Sequence, residues 1–129
     1  TDLITLARDS DVLVLASAAN AATAKMINGK VLRALGANGV LVNVARGSIV
    51  DEEALIASLE AKSIAGAALD VFAAEPNVPE QLRSLDQVVL TPHIASATKE
   101  TRQAMADIVV RNVNALLTGA PLFGELSLS

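Results

Sequence analysis

The sequence predicts an α/β fold: a parallel sheet of about four strands with flanking helices, followed by one long C-terminal helix. Three observations carry that expectation. Short β-favouring apolar runs alternate with helix-period segments along the 129 residues. The stretches between runs are long enough to hold crossover helices, which parallel strands need and hairpins do not. The longest apolar run, Val12 to Ala19, is broken only by Ser17 and is far short of the ~20 residues a spanning helix requires. The apolar content of 52% and the mean hydropathy of +0.47 are therefore read as a protein interior rather than a membrane span.

In order, residues 2–10 read as a short helix with Leu3, Leu6 and Ala7 on one face. Residues 11–16 (DVLVLA) form a continuous apolar run, expected of a strand covered on both faces. Residues 27–35 are helical, with Asn28 to cap the start and Gly36 to stop the end. Gly39 opens a second buried strand over 40–45 (VLVNVA), and Asp51 caps a helix running to about Lys62, with Leu55 and Leu59 one turn apart. Residues 64–72 (IAGAALDVF) read as a third strand, and a loop with Pro76 and Pro79 follows. Residues 88–90 read as a short fourth strand closed by Thr91-Pro92. From about Ser96 to Leu117 a long helix places Ala104, Ile108, Val109, Val113 and Leu116 at helical spacing, and Gly119 and Pro121 end it. Sequence alone divides the chain at 1–93, 94–118 and 119–129, the last part being a loose tail.

Composition removes several classes of function. With no cysteine there are no disulfides or thiolate sites, and a cytoplasmic location is the default expectation. The N-terminus shows neither a basic n-region nor an apolar h-region, so no signal peptide is read there. The net charge is −4, the basic residues are scattered, and two Phe are the only aromatics, so a nucleic-acid partner is not expected.

In parallel sheets ligands bind beyond the carboxyl ends of the strands. That rule singles out residues 16–20, 45–47, 70–75 and 93–96. Arg46 is either a surface cation beside the turn residue Gly47 or an always-charged fork for a carboxylate. Asp70 is either a turn residue or an acceptor for a ligand N–H, and Glu75 either a solvated carboxylate or a tuning group. His93, the only histidine, is either structural or a proton carrier. Together they place one Arg, one Glu and one His on one rim, which suits binding an acid and moving a proton.

Three strings then carry a resemblance. Leu41-Val42-Asn43-Val44-Ala45-Arg46-Gly47 resembles the catalytic-arginine motif of the D-2-hydroxyacid dehydrogenases. Ala67-Ala68-Leu69-Asp70-Val71-Phe72-Ala73-Ala74-Glu75-Pro76 resembles their segment carrying the nicotinamide-side Asp and the catalytic Glu. Val89-Leu90-Thr91-Pro92-His93-Ile94-Ala95-Ser96 resembles their catalytic-histidine segment, and the likeness runs from near Leu3 to about Pro121. Within the family the sequence is most similar to the glyoxylate/hydroxypyruvate and hydroxyphenylpyruvate reductase branch.

The resemblance implies the second half of a doubly wound Rossmann-type domain and an NAD(P)-dependent reduction of a small 2-oxo acid to a D-2-hydroxy acid. By that likeness Arg46 holds the substrate carboxylate and helps polarise its carbonyl. His93 donates a proton to the carbonyl oxygen, and Glu75 hydrogen-bonds the imidazole and favours its charged form. Asp70 accepts from the nicotinamide carboxamide, and Val44, Ala45, Arg46, His93, Ala95 and Ser96 line the ring. No metal is implied.

The chain also departs from the pattern. Where the family often has Leu-Pro-x-Thr, it reads Ser17-Ala18-Ala19-Asn20; Ala18 stands in place of the Pro and Asn20 in place of the Thr, while Thr23 matches a later Thr. No GxGxxG follows a strand anywhere. Without a preceding Gly-rich half, the run at 11–16 is expected to form an open sheet edge, and a homodimer or other self-association through that edge is expected. The chain by itself is expected to be incomplete as an oxidoreductase, inactive or weak; the alternatives are a catalytically inactive half-domain and an NAD(H)-sensing interaction module.

Overall fold

The computed structural model describes residues 2–125, in two compact units, one ending at His93 and the other beginning at Ile94. In the first unit the elements run α1 (Leu3–Arg8), β1 (Val12–Leu15), α2 (Gly29–Leu35), β2 (Val40–Asn43), a 3₁₀ turn (Gly47–Ile49), α3 (Glu52–Glu60), β3 (Gly66–Leu69), α4 (Glu80–Arg83) and β4 (Val88–Leu90). The strands form one parallel sheet in the order β1-β2-β3-β4, with Val12 opposite Val40, Val40 opposite Gly66 and Ala67 opposite Val88. This is a Rossmann-type arrangement of four parallel strands with flanking helices.

Local chemistry explains the boundaries. Asp2 accepts the Thr5 N–H at 3.0 Å and caps α1. Asn28 accepts from Lys30 and Val31 to cap α2, and Gly36, at φ 80°, ends it. Asp51 caps α3 through the Ala54 N–H. The core gathers Leu13 and Leu15 of β1, Val31, Leu32 and Leu35 of α2, Leu41 of β2, Leu55 and Leu59 of α3, and Leu69 of β3.

The strands are shorter than the apolar runs that encode them, because the residues at the runs' ends turn into the loops that build the rim. β1 also departs from expectation. Leu13 and Leu15 are buried, but Val12 and Val14 are more than half exposed. Only one face of this edge strand is covered, so its continuous apolar run does not mark two-sided burial. The short helix α4 falls inside the region read as a loop; its Leu82 anchors it in the core.

In the second unit α5 (Lys99–Thr118) is capped by Thr98 and closed by Gly119 in the left-handed conformation. Its apolar residues Met105, Ile108, Val109, Val113 and Leu116 are all exposed. Asn112 holds the following segment by accepting the Phe123 N–H at 2.8 Å and donating to its carbonyl at 3.1 Å. Arg111 lies over the Phe123 ring, 4.5 Å from its centroid. None of the described helices is long and apolar enough to cross a membrane. The end of the expected tail, beyond residue 125, lies outside the described residues.

Candidate active site at the strand ends

β2 ends at Asn43, whose side chain is buried with 1% exposure. Its Oδ1 accepts the Ala45 N–H at 3.0 Å and its Nδ2 donates to the Arg46 carbonyl at 3.1 Å. The side chain thus satisfies both of its polar atoms on the turn that follows, and Arg46 emerges from that turn exposed. The guanidinium Nη1 donates to the Ala45 carbonyl at 2.6 Å. Gly47 is next because no side chain fits: a Cβ there would lie 2.0 Å from the Phe72 carbonyl carbon and 2.5 Å from the Ala73 nitrogen. The Arg46 turn and the loop after β3 are therefore in backbone contact.

β3 delivers Asp70, which is buried. Its N–H donates to the Asn43 carbonyl at 3.0 Å, and its Oδ1 accepts the Thr91 hydroxyl at 2.5 Å. Farther along this loop, Glu75 uses both oxygens. Oε1 accepts the Phe72 N–H at 3.0 Å, and Oε2 lies 2.8 Å from His93 Nδ1. The hydrogen bond from His93 holds the Glu75 carboxyl below its ordinary range; the Phe72 N–H and the charges of His93 and Arg46 act in the same direction, against desolvation. An ionised carboxylate can only accept, so Nδ1 is the protonated ring nitrogen. His93 itself sits at φ 55°, in the left-handed region, with its N–H on the Thr91 carbonyl at 3.1 Å. A non-glycine residue held there costs energy that the surrounding contacts must supply, and such residues cluster at functional sites.

Two concavities lie beside these groups. A cleft of about 560 Å³ is lined by Ala16, Ser17, Ala18, Ala19, Val44, Ala45 and Arg46. A smaller cavity of about 150 Å³ is lined by Phe72, Glu75, Pro76, Val78, Pro92 and His93. The structure thus puts Val44, Ala45 and Arg46 on one cleft and joins Glu75 to His93. Ala95 and Ser96 are exposed and belong to the unit that begins at Ile94. No group of three or more His, Asp or Glu side chains suited to a metal ion occurs among the described residues.

Sequence reasoning overlooked two contributors and named a third, Thr23, without its role. Asn43 shapes the Arg46 turn; its signal was a lone polar residue inside an apolar run. Thr91 fixes Asp70, but a Thr before a Pro reads simply as a strand end. Thr23 ties down the loop after β1: its hydroxyl donates to the Ala18 carbonyl at 3.0 Å and accepts the Asn20 N–H at 2.8 Å. Asn20, standing where a Thr was expected, accepts the Ala22 N–H at 2.8 Å and so closes the same turn.

Comparison with known proteins agrees with this fold. Residues 1–95 match the family described as D-isomer specific 2-hydroxyacid dehydrogenase, NAD binding domain. The chain is 49% identical over 120 residues to a glyoxylate/hydroxypyruvate reductase A of Arabidopsis thaliana, covering 93% of this chain and 38% of that protein. It is 48% identical over 120 residues to a hydroxyphenylpyruvate reductase of Plectranthus scutellarioides, with the same coverage of each chain. The crystal structure of an NADPH-dependent glyoxylate/hydroxypyruvate reductase from Sinorhizobium meliloti in complex with NADP and malonate is similar at a TM-score of 0.86 and 51% identity, over 89% of this chain and 36% of that one. The chain thus spans well under half the length of the relatives it matches. With three quarters of its residues inside the family match and the fold in agreement, the chain belongs to the D-isomer specific 2-hydroxyacid dehydrogenases, of which it carries part of the NAD-binding domain.

Proposed function

We propose that this chain supplies the catalytic residues of an NAD(P)-dependent reductase that converts a 2-oxo acid of the glyoxylate or hydroxypyruvate type to a D-2-hydroxy acid. The observation that carries the reading is the Glu75–His93 pair, 2.8 Å apart, on the strand-end rim that also carries Arg46. A fixed cation and a buttressed imidazole are the two groups such a reduction needs from a protein.

Arg46 binds the acid. Its planar fork matches a carboxylate with two parallel hydrogen bonds and keeps its charge at every working pH. His93 supplies the proton. Because Nδ1 is committed to Glu75, Nε2 is the nitrogen available to donate to the carbonyl oxygen, and Glu75 fixes the ring's orientation. A positioned acid of this kind typically contributes ~10²–10⁴ in rate.

The donor set also suits a nicotinamide cofactor. The large cleft is lined by alanines and a serine, which leave backbone groups accessible to a flat ring, and Val44, Ala45 and Arg46 form its second wall. Asp70 is proposed to accept from the carboxamide and His93 to face the ring. When bound, the reduced nicotinamide supplies the hydride. A second copy of the chain is proposed as a partner: the outer edge of β1, a four-residue strand with Val12 and Val14 exposed, is suited to two-fold pairing.

The test is consumption of NADPH or NADH with hydroxypyruvate or glyoxylate, comparing the chain with Arg46→Ala. Turnover whose KM for the acid rises in the variant supports the reading. Turnover with a KM indifferent to Arg46 overturns it, and an absence of turnover with either cofactor favours the alternative of an inactive half-domain.

A further inference from the structure

The loop between β3 and α4 carries Glu75. Residues 73–77 are exposed. What anchors its first residues is a pair of carboxylates on successive backbone N–H groups. Phe72 donates to Glu75 within the loop, and Ala73 donates to Glu52 Oε2 at 3.2 Å, 21 residues away in sequence. Glu52 opens α3, directly after the Asp51 cap. The same two loop residues press on Gly47, the residue after Arg46, too closely for any Cβ. Glu52, at the start of α3, and Gly47, in the turn that presents Arg46, therefore hold residues 72–73.

We infer that Glu52 is a positioning residue for the Glu75–His93 pair: by accepting the Ala73 N–H it sets the loop at the height where Glu75 meets His93 Nδ1. The inference deepens the proposed function and rests on it for its catalytic meaning. Its physical content does not depend on turnover. Removing the acceptor frees the Ala73 N–H to seek water and unpins the loop. Glu75 then spends less time on Phe72 and His93, the two partners that hold its carboxyl below the ordinary range. Arg46 adds to that effect from the neighbouring turn.

The chain has a single histidine, so its ring resonances report the titration of the carboxylate bonded to them without overlap. The experiment follows that titration by NMR in the unaltered chain and in Glu52→Ala, Glu52→Gln and Glu53→Ala. Glu53→Ala removes the neighbouring first-turn charge from the same helix without touching the Ala73 contact, so it controls for a loss of helix stability. The expected result is an upward shift of the Glu75 midpoint in Glu52→Ala, restored in Glu52→Gln, whose amide oxygen still accepts, and absent in Glu53→Ala. A folded Glu52→Ala chain with an unchanged midpoint overturns the inference, as does an equal shift in Glu53→Ala. A Glu52→Ala chain that fails to fold while Glu53→Ala folds leaves Glu52→Gln to decide. There, a native midpoint supports acceptance at Ala73 and a midpoint at the ordinary value refutes it. None of these outcomes depends on turnover, so failure of this inference and failure of the proposed reaction are separately visible.

Discussion

Asn43 illustrates how a single side chain turns a strand end into a site. It is buried, and its two polar atoms serve one N–H and one carbonyl of the turn that presents Arg46. Replacing it by Ala leaves those groups without their partner, at about 1–3 kcal/mol for each that stays dry. We expect Asn43→Ala to lower the urea midpoint accordingly and to raise KM for the acid; an unchanged midpoint contradicts the role. Glu75 makes a second prediction at this scale. Its carboxyl is depressed on folding, so its contribution to stability is complete above the ordinary carboxyl value of 4.5 and is lost as pH falls through the depressed one. Unfolding followed as a function of pH should show an acid limb below that value that is shallower in Glu75→Gln. Equal limbs in the two proteins contradict the assignment.

At the scale of elements, the sheet rests on a few fully buried side chains. Leu41, at the centre of β2, has 0% exposure, and Leu41→Ala is expected to cost about 2–5 kcal/mol in chemical denaturation. A cost below 1 kcal/mol would show that the β2 core relaxes freely. The elements were largely legible in the sequence because apolar period and caps agree: Asn28 and Gly36 bracket α2, and Asp51 opens α3. The failures share one cause, which is that burial is decided by neighbours and not by the run itself. Val12 and Val14 read as interior and are exposed, because β1 is an edge strand with one face covered. Leu82 read as loop and is core, because four helical residues suffice to turn it inward. In the site, the strand-end rule pointed to Arg46, Glu75 and His93. The contacts that organise them, Glu75 with His93 and Glu52 with Ala73, span 18 and 21 residues and leave no periodic trace in the sequence.

Across the whole molecule, two apolar surfaces stand out. One is the uncovered face of β1; the other is α5, whose Met105, Val109, Val113 and Leu116 are exposed along its length. Apolar side chains exposed together on one face suit contact with another surface. If β1 edges pair between copies, light scattering coupled to size exclusion at micromolar concentration will show a dimer, and Val14→Lys will return it to monomer. A stable monomer in the unaltered chain contradicts self-association.

The proposed reaction turns on proton transfer from His93 at the strand-end rim. Its most direct measurement is the rate of NADPH-dependent reduction of hydroxypyruvate in the unaltered chain and in His93→Gln, which keeps a side chain of similar shape but cannot act as an acid. A fall in kcat of ~10²–10⁴ with little change in KM is expected. A rate in His93→Gln equal to that of the unaltered chain would contradict it.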